Sequence, residues 1–465
     1  MTKFFNYKWV LMAVLATGLT SCKDSFIELD PPTSITEDVA FSNEAGMEGA
    51  LLGAYQGLRD TDVFGRTIPV LGDLMADNIY VSTTNSGRYT AYNSYTYVAN
   101  DSYATSLWND TYTVILRANN VINSTLTTST TVEQYKGEAY AIRALCYFTL
   151  VRFFARPYTD DPSGLGVPIV TTYDPDLKPA RNTIEEVYTL IIDDLTKAYS
   201  MMTTYSNSSQ FSKYAAKALL AKVYLSQGDK TNAKAAALDV INNGGFTAVT
   251  ASNYSSYWTN AAVTTDKVET IFEVSSDAVG NNAYDALSYL YSRNGNYGDL
   301  LAPDEFYESF EDDDVRKSLF YPSVRGGLDA IYIDKYPAIS GDRSDTKVLR
   351  LSDMYLIAAE ASYPDNETDA LTYLNYITSR RGASTVTATG SELFEAIITE
   401  RRKELAFEGD RYFDLQRLKR DVTRGTNYPT SARSLEYSNF RRILGIPEQE
   451  TNSNANIASQ QNPGY

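Results

Sequence analysis

The chain has 465 residues, 43% of them hydrophobic and 21% charged, with 15 Pro and 26 Gly scattered and no low-complexity tract, a composition that predicts a large globular body. Its formal charge of −17 argues against nucleic acid and anionic lipid as partners. With no histidine at all, His-dependent zinc sites and Ser-His-Asp chemistry are excluded, whereas carboxylate catalysis is not.

The first segment predicts export. Lys3 and Lys8 precede an apolar run, Trp9 to Leu19, that is too short to span a bilayer, and no acid appears before Asp24. Leu19-Thr20-Ser21-Cys22 then reads as a lipobox, so residues 1–21 are expected to be a lipoprotein signal and Cys22 the acylated first mature residue. Loss of the two lysines takes the charge from −17 to −19. Two or three acyl chains hold a protein stably where one does not. With Cys22 acylated, Cys146 has no partner, and its apolar setting in AIRALCYFTLVRFF predicts a small buried hydrophobe.

Helices are predicted over Ser42 to Arg59, Leu107 to Val121 and Glu133 to Phe154, with a loop of nearly fifty residues rich in Tyr, Asn, Ser and Thr between the first two. Thr183-Ile184-Glu185-Glu186 is a capping box opening a helix to about Met201. Tyr214 to Gly244 carries the spacing of a tetratricopeptide hairpin at Leu220, Ala221, Tyr224, Gly228 and Ala233. Residues 244–347 lack helical period for most of their length, although Glu269 to Val274 is strand-like. Hairpins then fit Val348 to Ser362 with Glu367 to Arg380, and Leu393 onward. Glu311 to Asp314 is an acidic run without the alternation of a calcium loop, so a solvated face is expected and no metal. No cofactor is implied.

In Glu400 to Leu418, ERRKELAFEGDRYFDLQRL, charges three apart (Arg401 and Glu404, Glu408 and Arg411, Arg411 and Asp414, Asp414 and Arg417) are interleaved with large apolar residues. Such a helix is expected to be sandwiched, its charges used internally, with Gly409 breaking or bending it. Glu404 and Glu408 also raise the idea of a glycoside hydrolase pair, since retaining enzymes hold carboxyls about 5 Å apart. The neighbouring Arg401, Arg402, Lys403 and Arg411 favour the charged form and deny the raised pKa a general acid needs, so catalysis by this pair is rejected.

The run ER-x-x-EL-x-FEG-x-R-x-x-DL-x-R and the closing IPEQETNSNANIASQQNPGY resemble the C-terminal signature of the SusD-like (RagB/SusD) outer-membrane lipoproteins of Bacteroidetes. Trp108, Tyr112, Ala118, Asn119, Val121 and Ile122, the segment GEAYAIRALCYFTL, and VLRLSDMYLIAAEA, with Asp353 where Glu is usual, are similar to further family motifs, so the resemblance covers nearly the whole chain. It implies a mainly α fold of about four degenerate tetratricopeptide pairs with a loop-rich face. The expected organisation is one domain over 22–465, with a helical scaffold at about 42–243 and 348–420, an irregular region at about 244–347 and an extension over 421–465. It further implies a non-catalytic lipoprotein, anchored to the outer membrane by lipid only and displayed at the cell surface. Such a protein captures oligosaccharide for a SusC-like TonB-dependent transporter. Lys23-Asp24 is similar to a surface-display signal. Oligopeptide capture, as in RagB-like members, is the alternative.

Ligand residues vary within the family, so candidates come from chemistry. A sugar needs a flat aromatic surface for its C–H face and fixed polar partners for its hydroxyls. SGRYTAYNSYTY supplies Arg88, Tyr89, Tyr92 and Tyr95, with Asp77 and Asn78 nearby. The segment 285–299 supplies Tyr291, Asn296 and Tyr297, and Trp258 is a further candidate. The competing expectation is that these tyrosines lid the repeat core.

Overall fold

The computed structural model describes residues 41–260, 262–295, 297–337 and 345–465; the export signal, Cys22 and the display signal lie outside the described residues. The first half of the chain contains α1 (Glu44–Leu58), α2 (Thr67–Leu74), β1 (Tyr80–Val81), α3 (Ser102–Asn123), α4 (Thr130–Phe154), α5 (Ile184–Met201), α6 (Lys213–Gln227) and α7 (Lys230–Asn243). An insertion carries β2 (Thr270–Val274), β3 (Leu300–Leu301), β4 (Phe320–Arg325), β5 (Leu328–Ile333) and β6 (Thr346–Arg350). The helical body then resumes with α8 (Leu351–Ser362), α9 (Glu367–Arg381), α10 (Gly390–Glu404) and α11 (Arg411–Arg417).

Packing follows chain order. The first long helix α1 lies on α3, α3 on α4, and so on through α7, which meets α8 across the insertion; α8 then packs on α9 and α10. This is the tetratricopeptide-like stack, in which no helix buries its apolar face without its neighbour. Helix α4 is buried on almost every side and forms its centre, with Cys146 fully buried in it and the thiol pushed up by that burial.

Local chemistry sets the boundaries. Asp101 accepts from the Tyr103 and Ala104 amides to open α3, Ser129 opens α4, and Thr183 with Glu186 forms the expected capping box before α5. Gly228 ends α6 at φ +82°, a left-handed conformation suited to glycine, and Asp229 at once caps α7.

Three expectations need correction. The stretch from Val348 is not wholly helical: β6 occupies Thr346–Arg350 and pairs antiparallel with β2, closing the insertion at its root. The long loop after α1 is not without structure, since it holds α2 and β1. Finally, among the expected pairs of charges three apart, Asp414 and Arg417 form one at 2.7 Å, while Arg401, Glu404, Glu408 and Arg411 turn to partners far away in sequence. The chain breaks between α10 and α11, where Gly409 adopts φ +88°, and the break splays the two charge sets toward different elements.

Those partners build a buried ionic junction between scaffold and insertion. Glu404 receives Arg381 through both oxygens at 2.8 and 2.9 Å, Arg350 at 2.9 Å and Arg316 at 3.2 Å. Glu408 receives Arg350 at 2.7 Å and Lys335 at 2.6 Å. In the acidic run, Asp314 is buried and bound to Arg316 at 2.7 Å, while Glu311, Asp312 and Asp313 face solvent, so only part of that run is a solvated face. Among the described residues no cluster of acid, Cys and His side chains is arranged to hold a metal, and no helix is long and apolar enough to cross a membrane.

Candidate functional site

Two loops separated by two hundred residues of chain are joined at one place. Strands β1 and β3 pair antiparallel, Tyr80 opposite Leu301 and Val81 opposite Leu300. Beyond the pairing, Ser82 donates its amide to the Asp299 carbonyl at 2.8 Å, and Ser86 donates both its amide and its hydroxyl to the Asp299 carboxylate. Asp299 also receives Arg325, from the β4–β5 hairpin, at 3.4 Å. Residues 82–88, 284–295 and 297–299 thereby form a single surface.

On that surface the Arg88 guanidinium lies over the Tyr297 ring at 4.2 Å and donates to Asp285 at 3.1 Å. Arg66 donates to the same Asp285 oxygen from below, so the carboxylate is held between two arginines and still exposes 43% of its side chain. The neighbouring Tyr284 is 58% exposed and meets the edge of half-buried Tyr289 at 5.1 Å. Arg293 covers the exposed Tyr321 ring at 4.7 Å. Burial tends to lower Arg88, but Tyr297 and Asp285 raise it above its ordinary value, so its charge is permanent. Flat rings next to fixed donors and a fixed carboxylate match what a sugar face and its hydroxyls require.

Among the described residues at least partly exposed on this surface, only Arg88 and Tyr297 come from the sequence candidates. Tyr89, Tyr92 and Tyr95 are buried, which corrects the expectation of a tyrosine platform: Tyr89 stacks on Tyr103 at 4.2 Å, Tyr92 stacks on Tyr97 at 4.7 Å, and Tyr95 donates to the Met75 carbonyl at 2.7 Å under the Arg424 guanidinium. Asp77 is buried between Arg402 and Arg411; burial works to raise it, but the two arginines outweigh that and hold it at about 2. Asn78 is buried, accepting from Arg402 and donating to Asp73. Trp258 is buried under Lys335, with its centroid 4.2 Å from the ammonium. Tyr291 is fully buried against Tyr336. Asn296 lies outside the described residues.

The physical reason is shared. Irregular loops leave carbonyls that no helix or sheet satisfies, and a tyrosine fills the core with its ring while its hydroxyl reaches such a carbonyl. Tyr428 donates to Ile79, Tyr412 to Arg442, Tyr336 to Phe407 and Tyr147 to Val170 in this way. Tyr284, Tyr289 and Tyr321 were missed because sequence gives no sign of which tyrosines are spared that work. The electrostatics of the Glu404 and Glu408 pair do not suit an acid role. Burial alone would raise Glu404 and Glu408, but Arg381, Arg350, Arg316 and Lys335 keep both below the ordinary value, so neither holds a proton to donate.

Residues 25–225 match the family model described as starch-binding associating with outer membrane, and residues 312–465 match the SusD family model. A SusD-like protein of Formosa agariphila is 26% identical over an alignment that takes in 97% of this chain and 99% of that protein. A crystal structure of a SusD superfamily protein from Bacteroides thetaiotaomicron superposes with a TM-score of 0.83 at 29% identity, covering 90% of this chain and 100% of the other. One from Bacteroides vulgatus superposes with a TM-score of 0.84 at 27% identity, covering 91% and 99%.

Proposed function

This chain belongs to the SusD family, and we propose that it is a non-catalytic lipoprotein that captures oligosaccharide and delivers it to a SusC-type TonB-dependent transporter in the outer membrane. The observation that carries the binding face is the Arg88, Tyr297 and Asp285 arrangement with exposed Tyr284 beside it. The rings offer apolar faces to pyranose C–H groups, Arg88 donates to hydroxyls, and Asp285 accepts from them. Because β1, β3 and Arg66 fix both loops, little ordering is left to be done on binding, which favours affinity.

Family membership supports the membrane assignment, and the lipobox ending in Cys22 supports a lipid tether with the body at the cell surface. A tether confines the binding face near a transporter mouth and raises the effective ligand concentration there without high affinity. Calorimetry on the full chain in mild detergent, across plant, host-mucin and microbial glycans and mixed oligopeptides, tests the reading. Glycan binding weakened by Arg88→Ala and Tyr284→Ala supports it. Binding of peptides alone transfers the protein to the oligopeptide class, and product release from any bound glycan defeats the non-catalytic claim. Co-purification of a large β-barrel with the wild-type lipoprotein, lost with Cys22→Ser, tests the delivery step.

A further inference from the structure

A recess of about 420 Å³ lies where α1 meets β2 and the loop 277–280, and its lining includes Leu52, Tyr55, Gln56, Arg59, Gln210 and Val279. Its volume is that of a small-ligand pocket. Its charges are unequally committed. Glu273 is fully buried and engaged by Lys347 and Ser208. Asp277 turns one oxygen onto the amides of Val279 and Gly280, at 2.7 Å each. The half-buried Arg59, by contrast, makes no hydrogen bond or ion pair through its guanidinium among the described residues, and neither do the side-chain amides of Gln56 and Gln210.

The guanidinium is also given a seat. A Cβ on Gly280 would lie 2.4 Å from both of its terminal nitrogens, so the absence of a side chain there lets Arg59 lie flat on the loop backbone. Leu52 and Val279, 49% and 96% exposed, supply apolar flanks. A planar fork of donors that makes no hydrogen bond among the described residues, with amide groups beside it and the nearby Asp60 acting on it only through space, is suited to bidentate recognition of a carboxylate.

We infer that this recess is a second saccharide subsite, distinct from the Arg88 face, that selects a carboxylate-bearing sugar through Arg59. The inference rests on the glycan-binding reading above. The carboxylate takes the guanidinium fork, the sugar hydroxyls take Gln56 and Gln210, and Leu52 and Val279 cover the C–H face. The loop 277–285 borders both places, ending at Asp285 beside Arg88, so one acidic glycan chain reaching along it engages both.

The test is calorimetry on the full chain in detergent with galacturonate-, glucuronate- and sialate-bearing trisaccharides, each beside its methyl ester, which keeps the shape and removes the charge. At least one acid is expected to bind ten-fold or more tightly than its ester. Arg59→Gln abolishes that ratio, Gly280→Ala reduces it, and Arg88→Ala with Tyr284→Ala weakens acid and ester together while leaving the ratio. Equal affinity for acid and ester in all three pairs, or a ratio unchanged in Arg59→Gln, overturns the subsite. Should neutral glycans bind while no acid is preferred, only this inference falls; should no glycan of any kind bind, the functional reading falls with it. The Arg59 guanidinium makes no hydrogen bond among the described residues, and its charge acts on Asp60 only through space, so unchanged circular dichroism is expected for Arg59→Gln.

Discussion

Arg88 and Asp285 meet at 3.1 Å across 197 positions of sequence, and the pair is the point at which the loop after β1 and the loop before β3 become one surface. Because Arg88 is only partly buried and the strand pairing beneath it is independent of it, Arg88→Ala is expected to change binding more than folding. Loss of one charged donor and its ring contact lowers glycan affinity about ten-fold or more, the equivalent of about 1.4 kcal/mol or above, with a melting temperature near that of the wild type. Paired calorimetry and thermal unfolding check both halves.

The buried tyrosines give the reverse pattern. Tyr92 is fully enclosed, stacked on Tyr97 and hydrogen-bonded to Asp101, the residue that caps α3. Tyr92→Ala is expected to cost about 3–5 kcal/mol, the range for deleting a large aromatic side chain from a core. Tyr284→Ala, at an exposed ring, is expected to stay within about 0.5 kcal/mol. Urea unfolding of the two variants separates wall from surface; similar losses for both would remove the distinction drawn between them.

Glu404 is the hub of the ionic junction, with three arginines on one carboxylate and no exposed surface. Replacing it by Gln leaves buried guanidinium groups short of a counter-charge, which costs about 3–5 kcal/mol in comparable sites. Glu395→Gln, which breaks an exposed pair with Arg420, is expected to cost no more than about 1 kcal/mol. Equilibrium denaturation of the two variants tests the contrast.

Stability should also depend on pH in an unusual window. Burial raises Glu138 from 4.5 to about 7, against the hydrogen bonds from Tyr55 and Gln134 that favour its ionised form. A carboxyl raised in the folded state binds its proton more tightly there than in the unfolded chain, so stability falls as pH rises from about 4.5 to about 7 and is level above that. Asp73, raised to about 7 by its burial, adds to the same slope. Asp77, held at about 2 by Arg402 and Arg411, acts oppositely, and its contribution is lost as pH falls below about 3.8. Glu138→Gln should reduce the slope of the melting-temperature profile between pH 5 and 7.5, leaving the share due to Asp73, without altering the acid limb; a profile of unchanged slope would assign the window to Asp73 and other groups.

Much of the scaffold was readable because its signals are local. The Thr183 capping box, the Gly228 turn and the helical period of α4 each depend on residues within a turn or two. The binding face was readable only as a pair of segments. Composition pointed to 77–97 and 285–299, and the structure joins them through β1 and β3, but which tyrosines face water is decided by carbonyls contributed from elsewhere in the chain. The pairing of Glu404 with Arg316, Arg350 and Arg381 was hidden for the same reason: spacing along a helix names neighbours on that helix, and this chain breaks the helix at residues 405–410 and spends its charges across elements.

That break itself is set by two glycines in contact. A Cβ on Gly72 of α2 would fall 2.0 Å from the Gly409 carbonyl oxygen, and Gly409, at φ +88°, lies against the Pro69 backbone. The close approach lets the Gly409 amide donate to Asp73 at 2.7 Å, and Arg411, two residues on, reaches Asp77 at 2.8 Å. Neither glycine has a flexible neighbour to yield, because the colliding atoms are backbone. Gly72→Ala is therefore expected to destabilise the fold by about 3 kcal/mol or more, beyond the usual 1–3 kcal/mol of overpacking. By shifting α2 away from α11 it should also loosen the 77–97 loop that carries Arg88. The measurement is urea denaturation together with amide hydrogen exchange: lowered protection confined to residues 67–97 and 405–417 is the expected result, whereas wild-type stability would show that α2 and the break are not locked together.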